Sequence, residues 1–372
     1  MGLDAWKAPL RARVAIAVGV VALTPLLFPP DKVVAQDTDA VSTREECVQV
    51  EEDATCVPAT EFVPTADTSC DTQRVIGEVT FDEEAGTCCY QVQCEVFPPQ
   101  VLEGCCYGRP YVGDDGHALA PRAARADWFG HAERPELDDL TPADRARLAA
   151  HWTRAGLAEQ SSVAGFARFA LDLMAHGAPA DLVLRAQQAG LDETRHAMAC
   201  FALASAYGGE PVGPGPIDLG TSAPIAPDLV ALAVTTAREG CVNETVGAWI
   251  AAHLAEQATD PAVRGVLSAI AAEEAEHAAL AWATLRWAIE VGGDPVCDAL
   301  IGAFDRPSSR FSDDGPATET VRAHGLVPDP ALHDEIERAM VELVWPAAAE
   351  LTRTQLTDSP RPRPRALASA RA

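Results

Sequence analysis

The sequence predicts a mainly α-helical protein: an up-down four-helix bundle with a long crossover and an extra C-terminal helix, preceded by a small cysteine-rich disulfide segment. Three observations predict this. A Glu-x-x-His pair occurs twice, as Glu193/His196 and Glu274/His277, 81 residues apart. Each pair follows a lone glutamate at nearly the same distance, Glu159 lying 34 residues before Glu193 and Glu239 lying 35 before Glu274. Eight of the 11 cysteines fall within residues 47–106. On a helix, positions i and i+3 project from one face, so each pair aims a carboxylate and an imidazole at one point. The repeat of Glu…Glu-x-x-His is an internal duplication of a helix pair, and two such pairs make four helices.

The chain begins with Lys7, Arg11 and Arg13, then an apolar run from Val14 to Phe28, then Val33-Val34-Ala35 before Gln36. This is the pattern of an export signal over residues 1–35, with cleavage before Gln36. The run is short for a membrane span, so membrane association is expected only if this segment stays uncleaved. Residues 36–66 are polar, acidic and rich in Thr, Ala and Pro, and read as a flexible lead-in. Residues 67–125, with Cys47 and Cys56, form a cysteine-rich module. An even cysteine count in an exported stretch argues for disulfides. Strand-like runs lie between the cysteines at 74–81 and 90–93. Zinc would want paired Cys-x₂₋₄-Cys knuckles, and only Cys89-x₄-Cys94 approaches that spacing, so disulfides are favoured. Gly108-Arg109-Pro110-Tyr111 and residues 112–140 read as a connector.

The bundle is expected over residues 141–291. Helix one starts at Thr141-Pro142-Ala143-Asp144, a capping residue, a first-position proline and an acid at the capping-box position. Its inward stripe is Leu148, Trp152, Ala155, Glu159, Ser162, Phe166, Phe169 and Leu173. Helix two runs from Pro179 to Gly208-Gly209, with Leu182, Ala186, Ala189, Glu193, His196, Cys200, Leu203 and Tyr207 inward. Residues 208–226, rich in Gly and Pro, form the crossover. Helix three starts near Pro227, with stripe Leu232, Thr235, Glu239, Val242, Val246 and Trp249. Helix four follows Asp260-Pro261, with Leu267, Ile270, Glu274, His277, Ala281 and Thr284. Residues 292–358 form a helical extension, including a helix from Ala331 kinked at Pro346, and 359–372 a disordered tail.

Glutamates that interrupt apolar stripes are costly unless partnered, and a metal would offset that cost. Glu244 also lies on helix three, but five residues past Glu239 and well round the helix, so it is expected to support the site without ligating. The pattern resembles the ferritin-like di-iron carboxylate family, including the rubrerythrins. That resemblance implies a metal site built from Glu159, Glu193, His196, Glu239, Glu274 and His277. Glu193 and Glu274 are at equivalent positions, so one or both are expected to bridge the metals. The donor set suits two iron ions, with manganese possible, better than zinc. The chain has no Cys-x-x-Cys and therefore lacks the rubredoxin-type relay of the rubrerythrins.

The resemblance implies a di-iron oxidoreductase reacting with O₂ or peroxide, as a ferroxidase, peroxidase or oxygenase. Its further partner would be Fe²⁺ or an unidentified small-molecule substrate. The alternatives are a non-catalytic iron-binding protein and a surface structural or interaction protein that uses the bundle as scaffold. The net charge of −27, with no basic stripe, argues against nucleic acid. The leader and the cysteines imply a secreted, periplasmic or cell-surface location.

Overall fold

The computed structural model describes residues 7–19, 41–49, 56–58, 72–82, 87–95, 108–113, 116–117, 120–128, 134–219, 225–305, 318–327 and 329–357. The protein is mainly helical, and the chain divides into two compact units, Pro30–Val101 and Met1–Pro29 with Leu102–Ala372.

In the smaller unit, β1 (Val41–Gln49), β2 (Thr72–Asp82) and β3 (Thr87–Glu95) form an antiparallel sheet in the order β1-β3-β2. The strand-like runs are thus strands. Part of the segment read as a flexible lead-in is β1, because its alternating residues pair along the whole of β3. Two disulfides cross this unit, Cys47–Cys89 and Cys56–Cys88. Cys47 and Cys89 are directly opposed in the register, so the first is a cross-strand bond. Cys88, Cys89, Tyr90 and Val92 are buried around them, and the Tyr90 hydroxyl donates to Val57 O at 2.9 Å.

In the larger unit, α1 (Lys7–Val18) is followed by two long helices, α2 (Pro142–Ala175) and α3 (Ala180–Gly208). Thr141 caps α2 through the expected reciprocal bonds with Asp144. Gly209, at φ +78°, ends α3 in the left-handed conformation that glycine adopts at no steric cost. The third long helix is a composite: α4 (Leu229–Thr235), a π-helical stretch (Thr236–Val242) and α5 (Asn243–Gln257). After a three-residue turn, α6 (Pro261–Gly292) starts behind the Asp260 cap. The helices α2 and α3 pack together, as do α5 and α6, and α3 packs on α6. Trp152, Phe166, Phe169, Phe201, Trp249 and Trp282 are fully buried at 2% exposure or less.

The short helices α7 (Asp294–Ala299) and α8 (Glu319–Ala323) lead to α9 (Asp329–Ala339), a second π-helical stretch (Met340–Val344) and α10 (Trp345–Thr357). Where a kink at Pro346 was expected, the π-helical stretch lies just before the proline. Proline cannot donate to the carbonyl four residues back and crowds it, and a widened turn just before it relieves both.

The segment read as a leader has a seat in this unit. Leu10, Val14, Ala17 and Val18 join the apolar core, Arg13 pairs with Glu276 at 2.7 Å, and Arg11 pairs with Glu342. The cleavage point before Gln36, residues 306–317 and the tail 359–372 lie outside the described residues. Among the described residues no helix is long and apolar enough to cross a membrane.

Peptide mapping of the unreduced protein should recover Cys47 linked to Cys89 and Cys56 linked to Cys88. Alkylation of Cys88 or Cys89 without prior reduction would contradict this pairing.

Candidate metal centre

Four helices deliver carboxylates and imidazoles to one buried point. Glu159 comes from α2, Glu193 and His196 from α3, Glu244 from α5, and Glu274 and His277 from α6. All six are at most 3% exposed. They form two overlapping quartets. One is Glu159, Glu193, His196 and Glu274, and the other Glu193, Glu244, Glu274 and His277. In each quartet one donor atom per residue lies within 4.8 Å of all the others, so either could hold a metal ion. Glu193 and Glu274 belong to both, as their repeat-equivalent positions anticipated.

The imidazole Nδ1 atoms face the cluster. His196 Nδ1 is 3.5 Å from Glu159, 3.6 Å from Glu193 and 3.5 Å from Glu274. His277 Nδ1 is 3.2 Å from Glu193, 3.8 Å from Glu244 and 3.7 Å from Glu274. The Nε2 atoms point away to second carboxylates, His196 to Glu273 at 2.7 Å and His277 to Asp192 at 3.3 Å. A proton held on Nε2 by such a partner leaves the Nδ1 lone pair for a metal. The partners are reciprocal: the acid just before each Glu-x-x-His orients the histidine of the other. Asp192 is itself fixed by Gln188 at 2.8 Å and by Arg195, and Arg195 reaches Glu273 at 3.3 Å.

These residues fit a metal because their donors have nothing else to bond. Nine buried atoms of these six residues lack any hydrogen-bond partner: Glu159 Oε1, both oxygens of Glu193, Glu244 and Glu274, and Nδ1 of His196 and His277. Buried polar atoms are nearly always satisfied, so nine together at one point mark a missing cation or missing protons. The electrostatics agree. Burial, then the Glu193 charge, pushes Glu159 up to about 7. Burial, then Glu274, pushes Glu244 well above the carboxylate range. For the two histidines burial works downward, but the surrounding carboxylates outweigh it and hold both well above their ordinary value. Without metal, the site holds protons.

The expectation that Glu239 supplies the third-helix carboxylate does not agree with the geometry. Glu239 is buried, but its carboxylate accepts from Arg168 at 2.5 Å and lies 3.8 Å from Arg109. Glu244 takes the place in the cluster. The two do point different ways, as helical phase implied, but the repeat selected the wrong one. Phase could not correct the choice, because every residue of α5 from Asn243 to Ala252 is buried and no inward stripe stands out. A usable signal was distance from the turn. Glu244 lies 14 residues before Ala258, the C-cap of α5, and Glu274 lies 14 after Asp260, the N-cap of α6, whereas Glu239 lies 19 before Ala258. In an antiparallel pair, positions equidistant from the turn lie side by side. The π-helical stretch, with Glu239 inside it, separates the two glutamates. Asp192 and Glu273 were also legible, since an acid precedes both pairs. The buried Arg109 and Arg168 had no such signal.

No family model, curated protein or solved structure matches this chain.

Replacing either glutamate separates the two roles in metal-free protein. Glu239→Gln leaves Arg168 and Arg109 buried without their carboxylate, and breaking a buried pair costs about 3–5 kcal/mol. Glu244→Gln replaces a carboxyl already held protonated with a near-isostere and should change stability by less than about 1 kcal/mol. Urea unfolding of both variants measures the difference; equal losses would refute the assignment.

The metal-free protein should also lose stability as pH rises through about 7. Glu159 binds its proton more tightly folded than unfolded, so its stabilising contribution is complete below the ordinary carboxylate range and disappears as it ionises. The raised histidines act in the same sense. Unfolding free energies at acid and alkaline sides of this window test the sign.

Proposed function

We propose that this protein is an exported di-iron oxidoreductase of the ferritin-like type, with α2, α3, α4–α5 and α6 as its four-helix bundle. The observation that carries this reading is the pair of overlapping quartets sharing Glu193 and Glu274, with nine partnerless donors turned toward one another. In this reading Glu159 and His196 hold one metal and Glu244 and His277 the other, with Glu193 and Glu274 between them. Four carboxylates balance two divalent ions, and the oxygen-rich set suits iron, or manganese, better than zinc. When bound, a ferrous pair would supply two electrons for reduction of O₂ or peroxide.

The chain's own groups set the conditions for that chemistry. Asp192 and Glu273 fix the imidazole rings and hold the Nε2 protons. The apolar walls, among them Phe166 at 5.0 Å from the His277 ring, exclude bulk water. Glu273 is about a third exposed and hydrogen-bonded to His196, which makes it the closest described route for protons between site and solvent. The two disulfides agree with an oxidising compartment, and export through residues 1–35 remains part of this proposal.

Anaerobic titration with Fe²⁺ should load two ions per chain, and admission of air or peroxide should produce the optical change of iron oxidation. Loading should release protons into unbuffered solution, because Glu159, Glu244 and both histidines must give theirs up. Glu244→Ala should lose iron, while wild type retains it through gel filtration. A wild-type chain that takes up no Fe²⁺ or Mn²⁺ would return the helical unit to a structural role.

A further inference from the structure

We propose that Gly108-Arg109-Pro110-Tyr111 is a strap that closes the metal site and restricts its oxidant to molecules the size of O₂ or hydrogen peroxide. This rests on the metal-site reading above. Connecting segments normally run on the surface, where water satisfies their backbone. Here all four residues are buried.

The strap lies along α2 and reaches the ligands. A Cβ at Gly108 would stand 2.7 Å from Ser162 Oγ and 3.9 Å from Glu193 Oε1, so the strap's backbone passes beside the shared carboxylate. The Arg109 carbonyl rests on Gly165, where a Cβ would come within 2.2 Å of it. The Arg109 guanidinium stacks 3.8 Å over the Phe169 ring and lies 3.8 Å from Glu239. The Tyr111 N–H donates to Ser161, 3.0 Å from Oγ and 3.3 Å from the carbonyl, and its hydroxyl donates to Leu219 O at 3.1 Å.

These contacts account for Glu239. Its buried carboxylate holds Arg109 of the strap and Arg168 of α2 together, so the duplicated glutamate secures the cover and Glu244 serves the site. The strap's backbone fills the space beside Glu193 where the organic group of a larger oxidant would have to enter. Hydrogen peroxide needs only its O–O bond there: two electrons from the ferrous pair and two protons break it and release two waters. Cumene hydroperoxide follows the same balance, giving cumyl alcohol and water, but must carry its ring past the strap.

The test compares wild type with Gly165→Ala, and with Gly190→Ala as a control. Alanine favours helix over glycine, so α2 stays intact and the strap must lift. At Gly190 an added Cβ meets only Phe166, at an ordinary 3.6 Å. In metal-free protein, hydrogen exchange at the Tyr111 amide should be about tenfold or more faster in Gly165→Ala than in the other two. With iron bound, wild type should be oxidised by hydrogen peroxide roughly 100-fold faster than by cumene hydroperoxide, and Gly165→Ala should narrow that ratio about tenfold. A wild type that loads iron but reacts equally with both peroxides overturns the strap alone. Unchanged exchange and ratio in Gly165→Ala do the same. A wild type that loads no iron overturns the metal reading and this proposal with it. If Gly165→Ala does not fold, the wild-type ratio decides.

Discussion

Four carboxylates share one buried point with two imidazoles, and that constraint shapes everything near it. An ionised carboxylate taken out of water loses several kcal/mol of solvation even after relaxation. Four of them at Glu159, Glu193, Glu244 and Glu274 also repel one another. The fold can hold such a group only by supplying positive charge, either as protons or as metal ions. The raised positions of Glu159, Glu244, His196 and His277 are the proton version of that compensation. Two divalent ions would be the metal version. Since the same oxygens and nitrogens serve both, metal and protons compete, and the site couples metal content to pH and to stability.

Precise placement of these donors asks for rigid support. Each imidazole is held on its far side by an acid from the opposite Glu-x-x-His helix, which ties α3 to α6 through Asp192 and Glu273. The turns of α2–α3 and α5–α6 set which residues lie level with one another. Small residues leave room: Gly165 and Gly240 accept the strap, Gly240 because a Cβ there would meet an Arg109 nitrogen at 2.4 Å. The buried Arg109–Glu239–Arg168 group is another polar cluster in the core. Unlike the first it carries its own cations, two arginines around one carboxylate.

The two halves share the Glu…Glu-x-x-His pattern but use it differently. In the first half, Glu159 occupies the ligand position. In the second, the equivalent Glu239 has become an anchor, and Glu244, beyond the π-helical stretch, faces the cluster. A π-helical insertion moves all following side chains around the axis without breaking the helix. This lets one residue shift change which glutamate faces inward while the apolar packing of α5 persists.

The sequence by itself determined the long helices, their caps at Thr141 and Asp260, the convergence of Glu159, Glu193, His196, Glu274 and His277, and two of the three strands of the cysteine-rich unit. These depend on local periodicity, capping chemistry and alternation, all written in neighbouring residues. Tertiary structure alone decided the rest. It chose Glu244 over Glu239, because α5 is covered on all sides and carries no amphipathic signal. It paired Cys47 with Cys89 and Cys56 with Cys88, because pairing follows sheet register and not cysteine spacing. It seated Lys7–Val18 on the core. It also buried Gly108–Tyr111, a connector by composition, because the space it fills exists only once Gly165 and Phe169 of α2 have come together with Glu239 of the third helix.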